Sequence, residues 1–293
     1  MSDSILVERN PAVPVRGLHD LLSLTTRLKC VDVGANPIDE AAPYSGLLAA
    51  GHADVVGFEP NLEALAELER RKGPHETYLP HAVGDGGRHT LRLCVLPGMT
   101  SLLEPNPEVL SLFYGFSDWA KVVREVELDT VRLDEMPETA GMDFLKIDIQ
   151  GGELMVFRNA PERLANALMI HTEVEFMPMY VGQPLFSDVD LFLRSQGYML
   201  HRFDPLVTRD IQPLLFGVDP YVGHSQLVWA DAIYVRDLTR LEALSVEQLL
   251  KLAVLLHDCY RSYDCVLHLL REHDRRTRKN YGDIYLDAVR MPV

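Results

Sequence analysis

Short segments in which apolar residues alternate with polar ones, or follow one another without a break, recur along the first 236 residues. Such segments predict β-strands, because they fit a pleated and partly buried sheet. The predicted strands are residues 28–34, 53–59, 76–83, 89–96, 121–128, 142–149, 167–176, 198–203 and 227–235.

Segments with helical spacing lie between several of these strands. Asn61 is placed to cap one helix, and the pattern Ser187-x-x-Asp190 resembles a capping box for another, which ends at Gly197. Strands that alternate with helices indicate an α/β fold with a doubly wound, mostly parallel sheet. Helices are predicted over residues 40–50, 61–72, 153–160 and 187–197.

The last part of the chain has a different pattern. No glycine or proline occurs between His224 and Tyr281, and the capping box Ser245-x-x-Gln248 opens a long helical run. The apolar C-terminal helices either pack on the sheet domain or form the interface of a homodimer. The predicted divisions are an N-terminal segment with a short helix (1–27), the sheet domain (28–236) and a C-terminal helical appendage (237–293).

Composition narrows the class of protein. The chain has 293 residues, 47% of them hydrophobic, and a formal net charge of −15, which would repel a nucleic acid backbone. No apolar run reaches the ~18 residues of a membrane span, and the N-terminus lacks the pattern of a signal peptide. The four cysteines show no metal-binding spacing. We therefore expect a cytoplasmic protein with free thiols, and no nucleic acid or membrane partner.

The first candidate site follows the first two predicted strands. Ligands of open α/β sheets bind outside the carboxyl ends of the strands, and Gly34 lets a ligand approach the backbone there. Glu59 ends the second strand, 25 residues after Gly34, near the offset at which an acidic residue binds a ribose diol.

The residues after Gly34 bear on which ribose-containing cofactor binds. A dinucleotide site carries G-x-G-x-x-G, whereas residues 34–39 read Gly-Ala-Asn-Pro-Ile-Asp, and Asp39 would repel a pyrophosphate. S-adenosylmethionine has a ribose but no phosphate, and its cationic groups suit Asp32. The pattern therefore favours S-adenosylmethionine over NAD.

A second candidate site lies in FLKIDIQGGELMVF, residues 144–157. Asp148 ends a buried strand, and Gly151 and Gly152 allow a tight turn without side chains that would block a ligand. Glu153 falls in the first turn of the next helix, where the helix dipole favours a carboxylate without any chemical role.

Taken together, these motifs resemble those of the FkbM family of class I S-adenosylmethionine-dependent methyltransferases. The resemblance covers roughly residues 28–240. The matching stretches are CVDVGAN (30–36), VVGFEPN (55–61), TSLLEPN (100–106), LDTVRLDE (128–135), FLKIDIQGGEL (144–154), HTEVEFMPMYVGQPLFSDVD (171–190) and WADAIYV (229–235).

The resemblance implies a Rossmann-like sheet and O-methylation of a hydroxyl on a sugar or natural product. Family members often have a second glycine soon after the GAN motif, where this chain has Pro37, Ile38 and Asp39. The cofactor-binding residues implied by position are Asp32, Gly34, Asn36, Glu59, Asp85 and Asp148.

Methyl transfer to a hydroxyl needs alignment of donor and acceptor and a general base. Our candidates are Asp148, Glu173 and His171, with Glu175 on the same face of its strand by alternation. His171 could equally be a core histidine with its hydrogen bonds satisfied. A divalent cation on Asp148, Glu153 and Glu173 is an alternative that we do not favour.

Two segments outside the strand pattern are candidates for an acceptor pocket. SLFYGFSDW (111–119) contains four aromatic residues, and FMPMYVGQPLF (176–186) follows the strand that carries Glu173. Trp119, Tyr180 and Gln183 are the predicted substrate contacts, although the aromatic residues could instead anchor their own loops.

Three functions are consistent with these motifs. The first is an O-methyltransferase for a small hydroxylated molecule or glycan. The second is a nicotinamide-dependent oxidoreductase, against which the missing glycines count. The third is a non-catalytic cofactor-binding module on the same fold.

Overall fold

The computed structural model describes residues 17–36, 41–214 and 223–290. These residues form two compact units. The sheet unit contains residues 28–36, 53–214 and 223–237, and the helical unit contains residues 17–27, 41–52 and 238–290. Predictions that concern residues 1–16 and Pro37 to Asp39 lie outside the described residues.

Seven strands of the sheet unit form one sheet, and three others form a second. The larger sheet has the order β3-β2-β1-β7-β8-β10-β9, and the smaller has the order β4-β6-β5. The strands are β1 (Leu28–Val33), β2 (Ala53–Phe58), β3 (Glu76–Leu79), β4 (Ala82–Val83), β5 (Arg88–Cys94), β6 (Val122–Val131), β7 (Phe144–Ile147), β8 (Met169–Glu175), β9 (Tyr198–Arg209) and β10 (Gln226–Arg236).

The larger sheet is mostly parallel. Strands β3, β2, β1, β7 and β8 pair in parallel, and β10 runs antiparallel to both β8 and β9. The chain passes from β1 to β2 and β3 on one side and later returns to β7 on the other side. The topological switch point, where ligands of such sheets bind, is therefore between β1 and β7. This architecture confirms the predicted doubly wound α/β fold.

Helices connect the strands and form the other unit. Helices α3 to α8 belong to the sheet unit, and α1, α2 and α9 to α11 belong to the helical unit. In chain order the α-helices of the described residues are α1 (Leu18–Leu21), α2 (Ser45–Ala49), α3 (Leu62–Arg71), α4 (Pro107–Leu110), α5 (Phe116–Trp119), α6 (Glu153–Arg158), α7 (Pro161–Asn166), α8 (Phe186–Ser195), α9 (Val246–Val254), α10 (Tyr263–Thr277) and α11 (Tyr281–Arg290).

The two faces of the larger sheet differ in chemistry. One face carries the main core, in which apolar residues of β1, β7 and β8 pack against α6, α7 and α8. Alternation places the intervening residues on the opposite face, and several of these have ionisable side chains, including Asp32, Lys146, His171 and Glu173. The sheet therefore buries an apolar layer on one side and presents polar side chains on the other.

The helical unit contains the predicted C-terminal helices. Ser245 Oγ accepts the N–H of Gln248, and the Gln248 side chain accepts the N–H of Ser245, as the capping-box pattern predicts. Helix α9 continues into a π-helical turn (Leu255–Cys259), where His257 Nδ1 lies 2.9 Å from the buried Tyr285 hydroxyl. Within the described residues no helix is long and apolar enough to cross a membrane.

Two element predictions need correction. The strand predicted over residues 76–83 is two strands, because Pro80 follows β3 and supplies no N–H to a ladder. The helix predicted to begin at Ser187 begins at Phe186, and Asp188 rather than Asp190 binds the backbone N–H before it, that of Leu185.

Candidate active site

The carboxyl ends of β1 and β7 meet at Gly34. Gly34 has φ +84°, and a Cβ at this position would lie 2.1 Å from the carbonyl oxygen of Asp148. The N–H of Asp148 donates to the carbonyl of Val33 at 3.0 Å, and that of Gly34 donates to Phe58 at 3.1 Å. Only glycine satisfies both the backbone angle and the close approach.

Glu59 lies just beyond the end of β2 and is buried. One carboxylate oxygen of Glu59 accepts the N–H of Asn61 at 2.7 Å, while the Asn61 side chain caps α3 through the N–H groups of Glu63 and Ala64. The turn between β2 and α3 therefore fixes the Glu59 carboxylate at the same edge of the sheet as Gly34.

A cavity of about 670 Å³ opens along this edge. Its volume is in the range of small-ligand sites. The cavity lies wholly within the sheet unit, between the carboxyl ends of the parallel strands and the smaller sheet. Of the predicted cofactor-binding residues, Gly34, Asn36, Glu59 and Asp148 line it.

Two other predicted cofactor residues do not line this cavity. Asp32 is buried in the sheet, where its carboxylate lies 3.3 Å from Lys146 Nζ on the neighbouring strand. Asp85 lies in the turn after β4, where it accepts the N–H of Gly87 at 2.8 Å and bonds His89 at 2.8 Å. The hydrogen bond from His89 lowers the pKa of Asp85.

Asp148 and Glu173 are joined by one side-chain amide. Gln150 Nε2 donates to Asp148 Oδ1 at 2.9 Å and to Glu173 Oε2 at 2.6 Å. All three residues line the cavity. The amide nitrogen has two hydrogens, so it can donate one hydrogen bond to each carboxylate at the same time.

Gln150 is a site residue that the sequence analysis missed. Its backbone is left-handed, with φ +58°, a conformation that costs a non-glycine residue free energy and is often found at functional sites. Ser101 Oγ donates to the Gln150 carbonyl at 2.7 Å, and the Tyr180 hydroxyl lies 3.2 Å from Gln150 Oε1. No local sequence signal distinguishes this glutamine, because apart from Asp148 these partners come from distant parts of the chain.

Four carboxyl groups in this region lie close enough to influence one another's pKa values. They are Asp148, Glu153, Glu173 and Glu175. Glu153 is in the first turn of α6 and accepts the N–H of Ile149 at 2.8 Å. Within the described residues none of the four forms an ion pair. Burial, and then the other carboxylates, raise the pKa of Glu153 to about 7 and the pKa values of Glu173 and Glu175 well above the ordinary range.

The remaining predicted residues differ in position. His171 Nε2 lies 3.0 Å from Asp231 on β10, and His171 does not line the cavity. Tyr180 is fully buried beneath the cavity lining, and burial raises its pKa, so its hydroxyl stays protonated. Gln183 Oε1 accepts the N–H of Tyr180 at 3.1 Å and so holds that segment in place.

The far end of the cavity is aromatic. Trp119 and Trp229 line it together with Phe116, and the Arg209 guanidinium lies 4.4 Å above the Trp229 ring. Phe113 and Phe116 are buried in a second core cluster, so these two rings anchor the segment that presents Trp119.

The carboxylates do not assemble into a compact ligand set. Among the described residues of the sheet unit, no three His, Cys, Asp or Glu side chains bring ligand atoms within 4.8 Å of one another. Asp148, Glu153 and Glu173, the alternative cation ligands, therefore lie too far apart as a set.

A glycine after β1 and a buried acid after β2, at the carboxyl edge of a parallel sheet, are the features with which α/β folds bind cofactors that contain a nucleoside. The methyltransferase FkbM domain matches residues 32–200 of the sequence. The chain therefore belongs to the FkbM family of class I S-adenosylmethionine-dependent methyltransferases, and S-adenosylmethionine is its cofactor.

A comparison with solved structures finds matches that share little sequence with this chain. Precorrin-6y C5,15-methyltransferase from Geobacter metallireducens is 14% identical, with 75% of this chain and 86% of that chain covered and a TM-score of 0.35. A putative methyltransferase from Thermoplasma acidophilum is 7% identical, with 80% of this chain and 77% of that chain covered and a TM-score of 0.38. TYW2 of M. jannaschii, solved with AdoMet, is 13% identical, with 75% and 74% covered and a TM-score of 0.29. No curated protein matches the sequence.

Proposed function

We propose that this methyltransferase is an O-methyltransferase whose acceptor is a hydroxyl group of a small natural product or sugar. The observation that supports this most is the pair of carboxylates, Asp148 and Glu173, that Gln150 holds in the wall of the cavity. A hydroxyl group must lose a proton to act as a nucleophile, and a buried carboxylate with a raised pKa is suited to accept it.

The residues of the cavity fit S-adenosylmethionine. Gly34 leaves the backbone open at the switch point, and the Glu59 carboxylate can accept hydrogen bonds from a ribose diol. The acidic wall suits a cationic cofactor with no phosphate groups. Bound there, the cofactor supplies a methyl group already activated by its sulfonium.

We assign Glu173 the role of general base and Asp148 that of orienting the reacting groups. In its ionised form Glu173 takes up the proton of the acceptor hydroxyl, and because burial and then Asp148 raise the pKa of this carboxyl, the ionised carboxylate is a stronger base than an exposed one. Gln150 acts as a positioning residue for both carboxylates. Tyr180 and Gln183 support this arrangement from below, and Trp119 offers a flat surface for the acceptor.

Methyl transfer to a panel of acceptors tests this assignment. The protein is incubated with S-adenosylmethionine carrying a deuterated methyl group and with hydroxylated natural products, sugars and matched amines, and products are analysed by mass spectrometry. We expect label on the oxygen of at least one hydroxyl compound. Label on amines alone would refute O-methylation, and tight cofactor binding without any labelled product would favour a non-catalytic module.

We also propose that the protein is cytoplasmic. All four cysteines are free thiols, which suits the expected cytoplasmic location. A homodimer formed through the C-terminal helices stays a prediction, and sedimentation would test it.

A further inference from the structure

The helical unit contains a cluster of two histidines and an aspartate, none of which lines the methyltransferase cavity. His19 and Asp20 are neighbours in α1, and His52 follows α2. His52 is 32 residues away from Asp20 in the sequence, so only the folded chain brings it to the other two.

The three side chains bring potential metal ligands together. One ligand atom from each residue lies within 4.8 Å of the others, and among the described residues this is the one such group. His52 Nε2 lies 3.0 Å from Asp20 Oδ1. This contact is a hydrogen bond in the absence of an ion, and a small shift to the ~3.4 Å that separates ligands of a tetrahedral Zn²⁺ would let both atoms bind one ion.

The surroundings of the cluster also suit a cation. One nitrogen of the buried His19 ring lies 3.1 Å from the Thr26 carbonyl, the kind of contact that orients a ligating histidine through its other nitrogen. Asp258 Oδ1 accepts the N–H of Leu18 at 3.1 Å, while among the described residues nothing donates to its buried Oδ2. A second carboxylate therefore lies close to the cluster.

We propose that His19, Asp20 and His52 form a binding site for a divalent transition-metal ion such as Zn²⁺. Imidazole nitrogen is a ligand for Zn²⁺, Cu²⁺ and Ni²⁺, whereas Mg²⁺ and Ca²⁺ take oxygen ligands. The His19 and His52 rings are stacked 3.7 Å apart with 16° between their planes, so one ring must turn for both to point at the ion. His52 is the more exposed of the two rings, so it is the one that we expect to turn.

Zinc binding to the metal-free full-length protein tests this site without reference to methyl transfer. After dialysis against a chelator, Zn²⁺ is titrated in competition with a chromogenic chelator. The variants are His52→Ala and Asp20→Asn, both at partly exposed side chains. The matched control is His75→Ala, which removes another histidine 3.0 Å from an aspartate, Asp54, but with no third ligand in the described residues.

We expect His52→Ala to bind one equivalent of Zn²⁺ fewer than wild type and His75→Ala do. If His52→Ala still binds that ion, its affinity should be roughly 100-fold weaker. Asp20→Asn should weaken binding in the same direction, and Mg²⁺ should not compete. Melting curves in metal-free buffer establish that each variant is folded. Equal zinc binding by wild type and both folded variants would overturn the proposal.

Discussion

At the scale of single residues, Glu59 shows how a short turn prepares a binding group. Its carboxylate accepts the N–H of Asn61, so it is already oriented before a ligand arrives. A preorganised group loses less conformational freedom on binding than a mobile one. Glu59 is therefore the residue from which we expect the clearest effect on cofactor affinity.

We predict that Glu59→Ala weakens S-adenosylmethionine binding by ~1–3 kcal/mol, because hydrogen bonds to a charged group are lost. Isothermal titration calorimetry measures the change. The matched control is Glu69→Ala, which removes a partly exposed carboxylate on α3 that does not line the cavity. Unchanged affinity in Glu59→Ala would remove Glu59 from the cofactor site.

Asp148→Asn should lower turnover by at least ~100-fold while leaving the fold intact. Asparagine keeps a side-chain oxygen that can accept the hydrogen bond from Gln150, but it lacks the negative charge. Single-turnover methylation and a melting curve measure the two effects. Asp129→Asn, on an exposed position of β6, is the control. Wild-type turnover in Asp148→Asn would mean that its charge has no part in the reaction.

The sequence predicts the position of a site residue where that residue directly follows a parallel strand. Gly34, Glu59 and Asp148 each follow a parallel strand, and such ends share one edge of the sheet. Asp32 precedes the end of its strand, and its pairing with Lys146 depends on strand register, which sequence does not give. Gln150 depends on Ser101 and Tyr180, so only the folded chain identifies it.

At the scale of elements, the turn after β1 depends on one glycine. Its positive φ directs the chain away from the sheet, and the absent side chain leaves room for the Asp148 carbonyl. The same turn holds β1 against β2 through two N–H groups, those of Gly34 and Ala35, which both donate to Phe58. Stability and ligand access therefore depend on the same position.

We predict that Gly34→Ala lowers the free energy of unfolding by more than about 2 kcal/mol, from the left-handed backbone and the clash together, and abolishes cofactor binding. Gly46→Ala is the control, because Gly46 is in α2 and a Cβ there meets nothing within 4 Å. That change should be neutral or stabilising by roughly 0.5–1 kcal/mol. Chemical denaturation measures both, and equal effects would contradict this account of the turn.

Element type was more predictable than element boundaries. In β1, β2, β7 and β8 most residues of the core face, which come at every second position, are apolar, and this alternation is typical of a strand and not of a helix. Boundaries failed where a single residue decides, as at Pro80, or where two candidate caps lie close together, as at the start of α8. The membership of α2 in the helical unit depends on tertiary contacts, which periodicity does not contain.

At the scale of the whole molecule, the chain is strongly acidic and also buries acids. The net charge is −15, and burial of Glu153, Glu173 and Glu175 raises the pKa values of these groups. A carboxyl whose folded-state pKa lies above its unfolded value favours the folded state only while it is protonated. The buried acids therefore make stability depend on pH.

Glu153→Gln tests this dependence with a nearly isosteric side chain. The unfolded chain ionises Glu153 near pH 4.5 and the folded chain near pH 7, so the wild-type free energy of unfolding falls as pH rises through that window. We compare the free energy of unfolding of the variant with that of wild type at each pH. The difference, variant minus wild type, should be about 3 kcal/mol larger at pH 8 than at pH 4. Denaturation at several pH values measures this, with the exposed Glu138→Gln as control. A variant with the same pH slope as wild type would contradict the burial argument.

The central claim is that S-adenosylmethionine binds in the cavity at the carboxyl ends of β1, β2 and β7, with its ribose on Glu59. A crystal structure with S-adenosylhomocysteine, which lacks the methyl group and is stable, tests it most directly. We predict density along the cavity, with both ribose hydroxyls within hydrogen-bond distance of the Glu59 carboxylate and the adenosyl group against Gly34. Density at another place, or none at a saturating concentration, would contradict the claim.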